Sequence, residues 1–350
     1  MEQLNSIGDI FPLHLLEEIS TNGGEKIGIV ANAGGHTAEL LGGIVLAVKN
    51  RNNCTAVELV WKMEERSKEG GLEAAAYFHA LDVSYVIGHL SATTAIYAAE
   101  YYNARNILFF APGTSHPSLI KKDYKFVFRV CGRDDHQAQA IVSKILELNC
   151  SHVTMLSENI EYGRALSGLI AGKLNNFDLS YSHYFLDENL FEREHIYDET
   201  AAQTSTVLFV GRYEQGAEVV RELIVRGFTG NMIMSDDCLI LPFINAVKGL
   251  PNDIYVSKMQ LQEKFSDVIV GLDHQYSNLT GKHAGAYFYT SYTAMNILLD
   301  ALNAKNDVNL LSSKIKSSSK NTVIGNLSYL ADGEIEGINW EIIQLNKINL

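Results

Sequence analysis

Hydroxyl-bearing residues gather at two corners of this chain, and both have the local chemistry to hold an anion. The first is Ser91-Ala92-Thr93-Thr94, directly after the apolar run Val83–Leu90. The second is Gly113-Thr114-Ser115, directly after Asn106–Pro112. Small hydroxyl residues ahead of a helical repeat suit N-cap positions, and Ala95–Tyr102 continues at helical spacing. The first turn of a helix presents unbonded N–H groups and the positive end of its dipole, which favours a negative group. Neither corner carries a Lys or a Gly-x4-Gly-Lys phosphate cradle, so a carboxylate suits them better than a polyphosphate. The competing reading is that these hydroxyls only cap helices.

Other chemistries are poorly served. The sequence holds no GxSxG elbow, no HExxH and no GxGxxG after a strand, so no catalytic residue is assigned and no enzyme is expected. The four cysteines, Cys54, Cys131, Cys150 and Cys238, show no CxxC spacing and read as free thiols rather than a metal or redox site. Asp134-Asp135-His136 precedes the helical run Gln137–Leu148. Acids there answer a helix dipole more readily than a metal, so neither metal nor cofactor is expected.

The elements that must position the two corners alternate regularly. Strands are predicted at Lys26–Asn32, Thr55–Lys62, Val83–Leu90, Asn106–Pro112 and Phe126–Val130, with a charged turn at Glu64–Gly71 and a helix over Leu72–Leu81. Farther on, strands are predicted at His152–Leu156, Leu179–Phe185, Thr206–Gly211, Asn231–Ser235 and Ile254–Met259. Helices are predicted over Tyr162–Leu174, Glu214–Arg226, Leu239–Val247, Phe265–Ser277, Gly285–Asn303 and Leu310–Ser318, and closing strands at Asn321–Leu330 and Ile338–Leu345. β-branched runs followed by helices of this length predict an α/β fold whose parallel sheets are covered on both faces. Corners at the carboxyl ends of neighbouring parallel strands face one crevice, where such sheets bind ligands.

With 350 residues and 47% hydrophobic content the chain can fill two domain cores. Its 28 basic against 41 acidic residues give a net charge of −13, which argues against nucleic acid or an anionic membrane as partner. No apolar run is long enough to span a bilayer. Met1–Val30 lacks a basic segment followed by an apolar one. The protein is therefore expected to be periplasmic if a leader has been removed, and cytoplasmic otherwise.

The segments YVIGHL and ILFFAPGTSHPSL, ungapped from Tyr85 to Leu119, resemble the leucine/isoleucine/valine-binding proteins, the amino-acid-binding subunits of ABC importers. Glu161-Tyr162-Gly163, Met234–Asp237, Gly285–Tyr292 and Asn321–Gly325 agree in order, so the resemblance covers most of the chain after about Lys26. It implies a type I periplasmic-binding-protein fold: two doubly wound parallel-sheet lobes joined by three crossovers, with a ligand cleft that closes about a hinge. Lobe 1 is expected to comprise residues 1–131 plus 258–326, and lobe 2 residues 132–257 plus 327–350.

It also implies roles. Ser91, Ala92, Thr93 and Ser115 would take the α-carboxylate of an amino-acid-like ligand. The Thr114 carbonyl, the Ser115 hydroxyl and Asp237 would take its ammonium, with Asp236 competing for the last role. Leu90, Tyr162, Tyr213 and Tyr289 would line the apolar end, with other tyrosines of AYFYTSYTA competing for the place of Tyr289. His36 and Thr37 lie where the family has a longer ligand-facing loop. Ala92 departs from the family's Ser, and Ser91 stands where the family's disulfide cysteine would be, so that bridge is not expected. A membrane ABC permease is the implied partner. The rival is a cytoplasmic sensor of the same fold that binds an amide or a small carboxylate.

Overall fold

The structure, a computed structural model, describes residues 11–34, 36–51, 55–186, 190–302 and 307–345. Gly35 of the Gly-Gly loop, Cys54 and the first ten residues lie outside them. Among the described residues fourteen strands run in chain order: β1 Glu25–Ala31, β2 Val57–Met63, β3 Tyr85–Gly88, β4 Leu108–Ala111, β5 Val127–Arg129, β6 His152–Glu158 and β7 Ser180–Leu186, then β8 Thr206–Val210, β9 Asn231–Met234, β10 Ile254–Met259, β11 Lys320–Thr322, β12 Gly325–Tyr329, β13 Ile335–Glu336 and β14 Trp340–Gln344. The chain divides into two compact units, residues 1–132 with 260–338, and residues 133–259 with 339–350.

Unit 1 carries a five-stranded sheet in the order β2-β1-β3-β4-β5, parallel throughout. Every residue of β3 and β4 is buried, as expected where helices cover both faces. On one face, alanines of the helices Lys68–Ala80 and Ala92–Ala104 let Phe78 and Tyr102 pack with Val86 and Phe109. Elsewhere in the unit the helix Ala286–Leu302 lies along Thr37–Lys49. Gly43 permits that approach, since a Cβ there would stand 2.5 Å from the Phe288 carbonyl oxygen. Unit 2 carries a six-stranded sheet in the order β14-β10-β9-β8-β6-β7. Its strands are parallel except β14, which pairs antiparallel with β10 at the edge. Phe209, Phe243 and Tyr197 fill one of its cores and Met155, Ile170 and Leu208 another.

Three expectations need correction. The helix expected to begin at Leu72 begins at Lys68, because the Ser67 hydroxyl accepts the Gly70 N–H at 2.9 Å and caps it. A helix not foreseen at all, Leu190–Gln203, precedes β8. Its sequence is dominated by charge, but Tyr197 and Thr200, one turn apart, are each 1% exposed and form its inner face. The single strand expected over Asn321–Leu330 is a hairpin: β11 and β12 pair antiparallel around Gly325, with β13 as third strand. Gly325 has φ +159°, and a Cβ on it would lie 2.3 Å from the Gly337 carbonyl oxygen. The hairpin holds the chain in unit 1 as far as Ile338, twelve residues beyond the boundary expected at 326. Among the described cysteines, Cys131, Cys150 and Cys238 are free thiols, and burial, then the nearby Asp237 and Asp236, push the Cys238 thiol up.

Candidate ligand-binding site

In unit 1 the sheet grows outward from β1 in both directions, to β2 on one side and β3 on the other. Loops after β1 and β3 therefore diverge and leave a crevice at the carboxyl end of the sheet. Both hydroxyl corners are near it. Ser91 is the N-cap of Ala92–Ala104, with extended backbone at φ −121°, and its carbonyl accepts from Thr94 N at 3.2 Å and Ala95 N at 2.9 Å. Its hydroxyl makes no capping bond. The N–H groups of Ala92 and Thr93 open the helix and have no carbonyl one turn earlier to bond. Ser91, Ala92 and Thr93 are all half-buried.

This corner rests on a buried polar network. His89, fully buried, places Nδ1 2.7 Å from Glu64 Oε2 and Nε2 2.9 Å from the Tyr102 hydroxyl. Thr94 donates its hydroxyl to Glu64 Oε1 at 2.9 Å. The His89 N–H bonds the Val30 carbonyl, while its own carbonyl accepts the Thr114 hydroxyl at 2.9 Å, so one residue joins the end of β1 to the loops after β3 and β4. His89 has φ +52° and the preceding Gly88 φ +145°.

In the second corner Thr114 is 1% exposed. Its hydroxyl goes to His89, and its carbonyl, expected to meet a ligand ammonium, accepts from the guanidinium of Arg129. A cation already on that oxygen opposes a second one, so the structure gives the Thr114 carbonyl a structural partner. Ser115 is half-buried, and its hydroxyl has no hydrogen bond among the described residues. It is thus the better-placed ligand donor of the pair.

The apolar end also changes. Tyr289 is 4% exposed and packs edge-on to Phe288 inside the core. Tyr287, two residues earlier, is half-buried and faces the crevice residues. Its ring lies 4.1 Å from that of His36, centroid to centroid. A Cβ on Gly113 would meet Tyr287 Cε1 at 2.5 Å and Leu90 Cδ2 at 2.9 Å. Leu90, Gly113, Tyr287 and His36 thus form one cluster, which makes Tyr287 a further candidate for the apolar end. Thr37 is committed locally, donating to the Asn32 carbonyl at 2.5 Å.

In unit 2 the sheet reverses at β6, between β7 and β8. Tyr162, in the first turn of Glu161–Leu174, donates to Asp236 Oδ1 at 2.7 Å, and Gln137 Nε2 donates to the same oxygen at 2.8 Å. Burial, then the charges of Asp236 and Asp134, push the Tyr162 phenol well above its usual range, so it stays a donor. Asp237 turns elsewhere: its Oδ2 accepts the N–H of Tyr213, the first residue of the helix Tyr213–Val225, at 2.8 Å. Beside these residues a pocket of about 690 Å³ is lined by Asn159, Ile160, Gln215 and the Glu158–Arg212 ion pair.

The structure therefore joins Leu90, Ser91, Ala92, Thr93, Thr114 and Ser115 through one set of loops in unit 1. In unit 2 it pairs Tyr162 with Asp236 and Tyr213 with Asp237. Sequence reasoning missed Arg129, Glu64, His89, Gln137 and Tyr287 as contributors. Only Tyr287 had a local signal, its place in the tyrosine-rich run; the others act through partners far away in sequence.

Comparison with known proteins extends this picture. The family model for the receptor family ligand binding region matches residues 38–203. A Leu/Ile/Val-binding protein homolog 2 from Brucella abortus is 24% identical over 315 residues, spanning 83% of this chain and 81% of that protein. A leucine binding protein, LivK, from Thermotoga maritima superposes with a TM-score of 0.79 at 19% identity, covering 92% of this chain and 99% of the other. A solute binding protein of an ABC transporter from R. palustris, in complex with benzoate, gives 0.81 at 11% identity over 92% and 93%. At such identities the solved structures speak for the fold.

Proposed function

We propose that this chain is a member of the Leu/Ile/Val-binding-protein family, with the type I periplasmic-binding-protein fold, and the solute-binding subunit of an ABC importer. Its ligand on this reading is a branched-chain amino acid or a close relative. The carboxylate is taken by the N–H groups of Ala92 and Thr93 and the hydroxyl of Ser115, and the ammonium by Asp236.

The choice of ligand is carried by the likeness to a Leu/Ile/Val-binding protein homolog over 83% of the chain, and the acids of unit 2 are the candidates for its ammonium. Glu158 is bound by Arg212, and that bond holds the guanidinium's pKa up. Asp237 caps a helix, and Asp134 opens another, where the dipole favours it. Asp236 accepts the Tyr162 hydroxyl and the Gln137 amide on one oxygen, Oδ1. The likeness to Leu/Ile/Val-binding proteins favours a ligand with a positive end as well as a negative one, whereas an amine-free acid such as benzoate has only the latter. The absent hydroxyl at Ala92 is offset by Ser115 and by backbone N–H groups, which do not depend on side chain.

The protein binds without turnover on this reading, works outside the cytoplasmic membrane and delivers its ligand to a membrane permease. No helix among the described residues is long and apolar enough to cross a membrane itself. The test is thermal denaturation with leucine, isoleucine and valine, set against 4-methylpentanoate, isopentylamine, amides and benzoate. A cognate ligand at about 100 times its dissociation constant adds ~2.7 kcal/mol to stability. Stabilisation by the amino acids and by neither half-molecule is expected. Stabilisation by benzoate or an amide, with none from any amino acid, would overturn the assignment.

A further inference from the structure

The largest fully buried side chain of the described residues is a charged one, Arg129 at the end of β5. A lone guanidinium in a core is costly, so its partners say what it is for. Nε donates to Glu334 Oε1 at 2.7 Å and Nη2 to Glu334 Oε2 at 3.2 Å, a forked pair. Two further donors go to backbone: Nη1 to the Thr114 carbonyl, Nη2 to the His116 carbonyl at 2.9 Å. These carbonyls flank Ser115, the hydroxyl assigned above to the ligand carboxylate. Two fixed points on either side of one residue set the direction of its N–H and side chain.

The same group reaches the segments where the chain leaves unit 1. Arg129 lies three residues before the passage at Gly132, and Glu334 four residues before the passage at Ile338. Glu334 is itself held: its Oε1 accepts the Ile335 N–H at 2.9 Å, and its own N–H bonds Asp332 at 3.1 Å. Gly333, with φ +92°, lets this turn lie on β5, since a Cβ there would stand 2.1 Å from the Val127 carbonyl oxygen.

The geometry points to Arg129 as the positioning residue of the ligand loop, and to the Arg129–Glu334 pair as the link between that loop and two of the chain's passages from unit 1 to unit 2. This rests on the amino-acid-binding reading for the ligand, but not for the positioning. The guanidinium holds Thr114 and His116 so that Ser115 is presented before ligand arrives. Pre-organisation of this kind appears as affinity, because a loop already ordered has less freedom to lose on binding.

The test uses the full chain with Arg129→Lys, Arg129→Met, Glu334→Gln and Ser115→Ala. Amide hydrogen exchange of residues 113–118 without ligand reads the positioning directly, whatever the ligand proves to be. Exchange there is expected to rise about tenfold in Arg129→Met, beyond that in a core variant of equal melting temperature such as Ile141→Val, and less in Arg129→Lys. With leucine as probe, Arg129→Met should weaken binding at least about tenfold and Glu334→Gln by less. Adding Ser115→Ala to Arg129→Met should cost no more than about twofold beyond Arg129→Met, since both act through one hydroxyl. If Arg129→Met fails to fold, Arg129→Lys and Glu334→Gln carry the same readings. Unchanged exchange at 113–118 in the folded variants overturns the positioning role. Accelerated exchange with fully additive leucine affinities overturns the route through Ser115. Failure of the wild type to bind leucine strikes the functional reading and leaves the exchange result standing.

Discussion

Adjacent acids, Asp236 and Asp237, should separate into a ligand residue and a helix cap when each is neutralised. Asp236→Asn keeps an oxygen for the Tyr162 hydroxyl at 2.7 Å and the Gln137 amide at 2.8 Å, so the loop has reason to stay in place. What it removes is the charge. Losing one partner of a close ion pair at a buried interface costs about 2–5 kcal/mol. At 1.4 kcal/mol per decade that is roughly a 30- to 3,000-fold rise in the dissociation constant for leucine. Asp237→Ala instead removes the acceptor of the Tyr213 N–H. A lost cap costs about 0.5–2 kcal/mol of unfolding stability, with leucine affinity changed by little. Titration calorimetry gives the first quantity and urea denaturation the second. The reversed pattern, with Asp237→Ala abolishing binding and Asp236→Asn sparing it, would refute the assignment of the acids.

Ser115→Ala should weaken leucine binding by about 1–3 kcal/mol in calorimetry and leave unfolding stability unchanged, because its hydroxyl has no partner to lose among the described residues. Gly88→Ala should lower stability by about 2 kcal/mol or more in urea denaturation, since its φ is +145° and a Cβ would stand 2.0 Å from the Val30 carbonyl oxygen. Asp300 supplies a pH dependence: burial opposes its ionisation, but hydrogen bonds from Lys320 and Arg51 prevail and hold its carboxyl below the usual range. A depressed folded-state value stabilises above the unfolded value and is lost as pH falls through the folded one. Asp300→Asn should therefore cost about 0.5–1 kcal/mol at pH 7, the scale of a partly exposed pair. Urea denaturation near pH 3 should show that difference shrinking.

The inner strands of both sheets, such as β3, β4 and β8, were legible because they are continuous apolar runs, and burial on two faces demands nothing subtler. Helix Leu190–Gln203 was not, since one inner stripe containing Tyr197 and Thr200 is a faint signal among charges. The hairpin at Gly325 was hidden by a turn lying within a β-rich segment. In the site, both hydroxyl corners could be read from type and spacing. Their supports could not: Glu64 and His89 are 25 residues apart, and Arg129 and Glu334 are 205 apart. Such pairs are made by the topology, and no local pattern announces them. The choice among tyrosines was hard to read for a different reason. Tyr287 and Tyr289 are chemically alike, and the helix rotation that buries Tyr289 is set by packing along its whole length.

The antiparallel pairing of β14 with β10 has a consequence for biosynthesis. Residues 260–338, which belong to unit 1, are translated between those two strands. While the ribosome makes them, at roughly 5–20 residues per second, the nascent unit 2 holds β10 as an unprotected margin with open amide and carbonyl groups. That interval is when the newborn chain is most exposed to pairing with a neighbour, and a chaperone that shields one β-strand for several seconds would suffice to guard it.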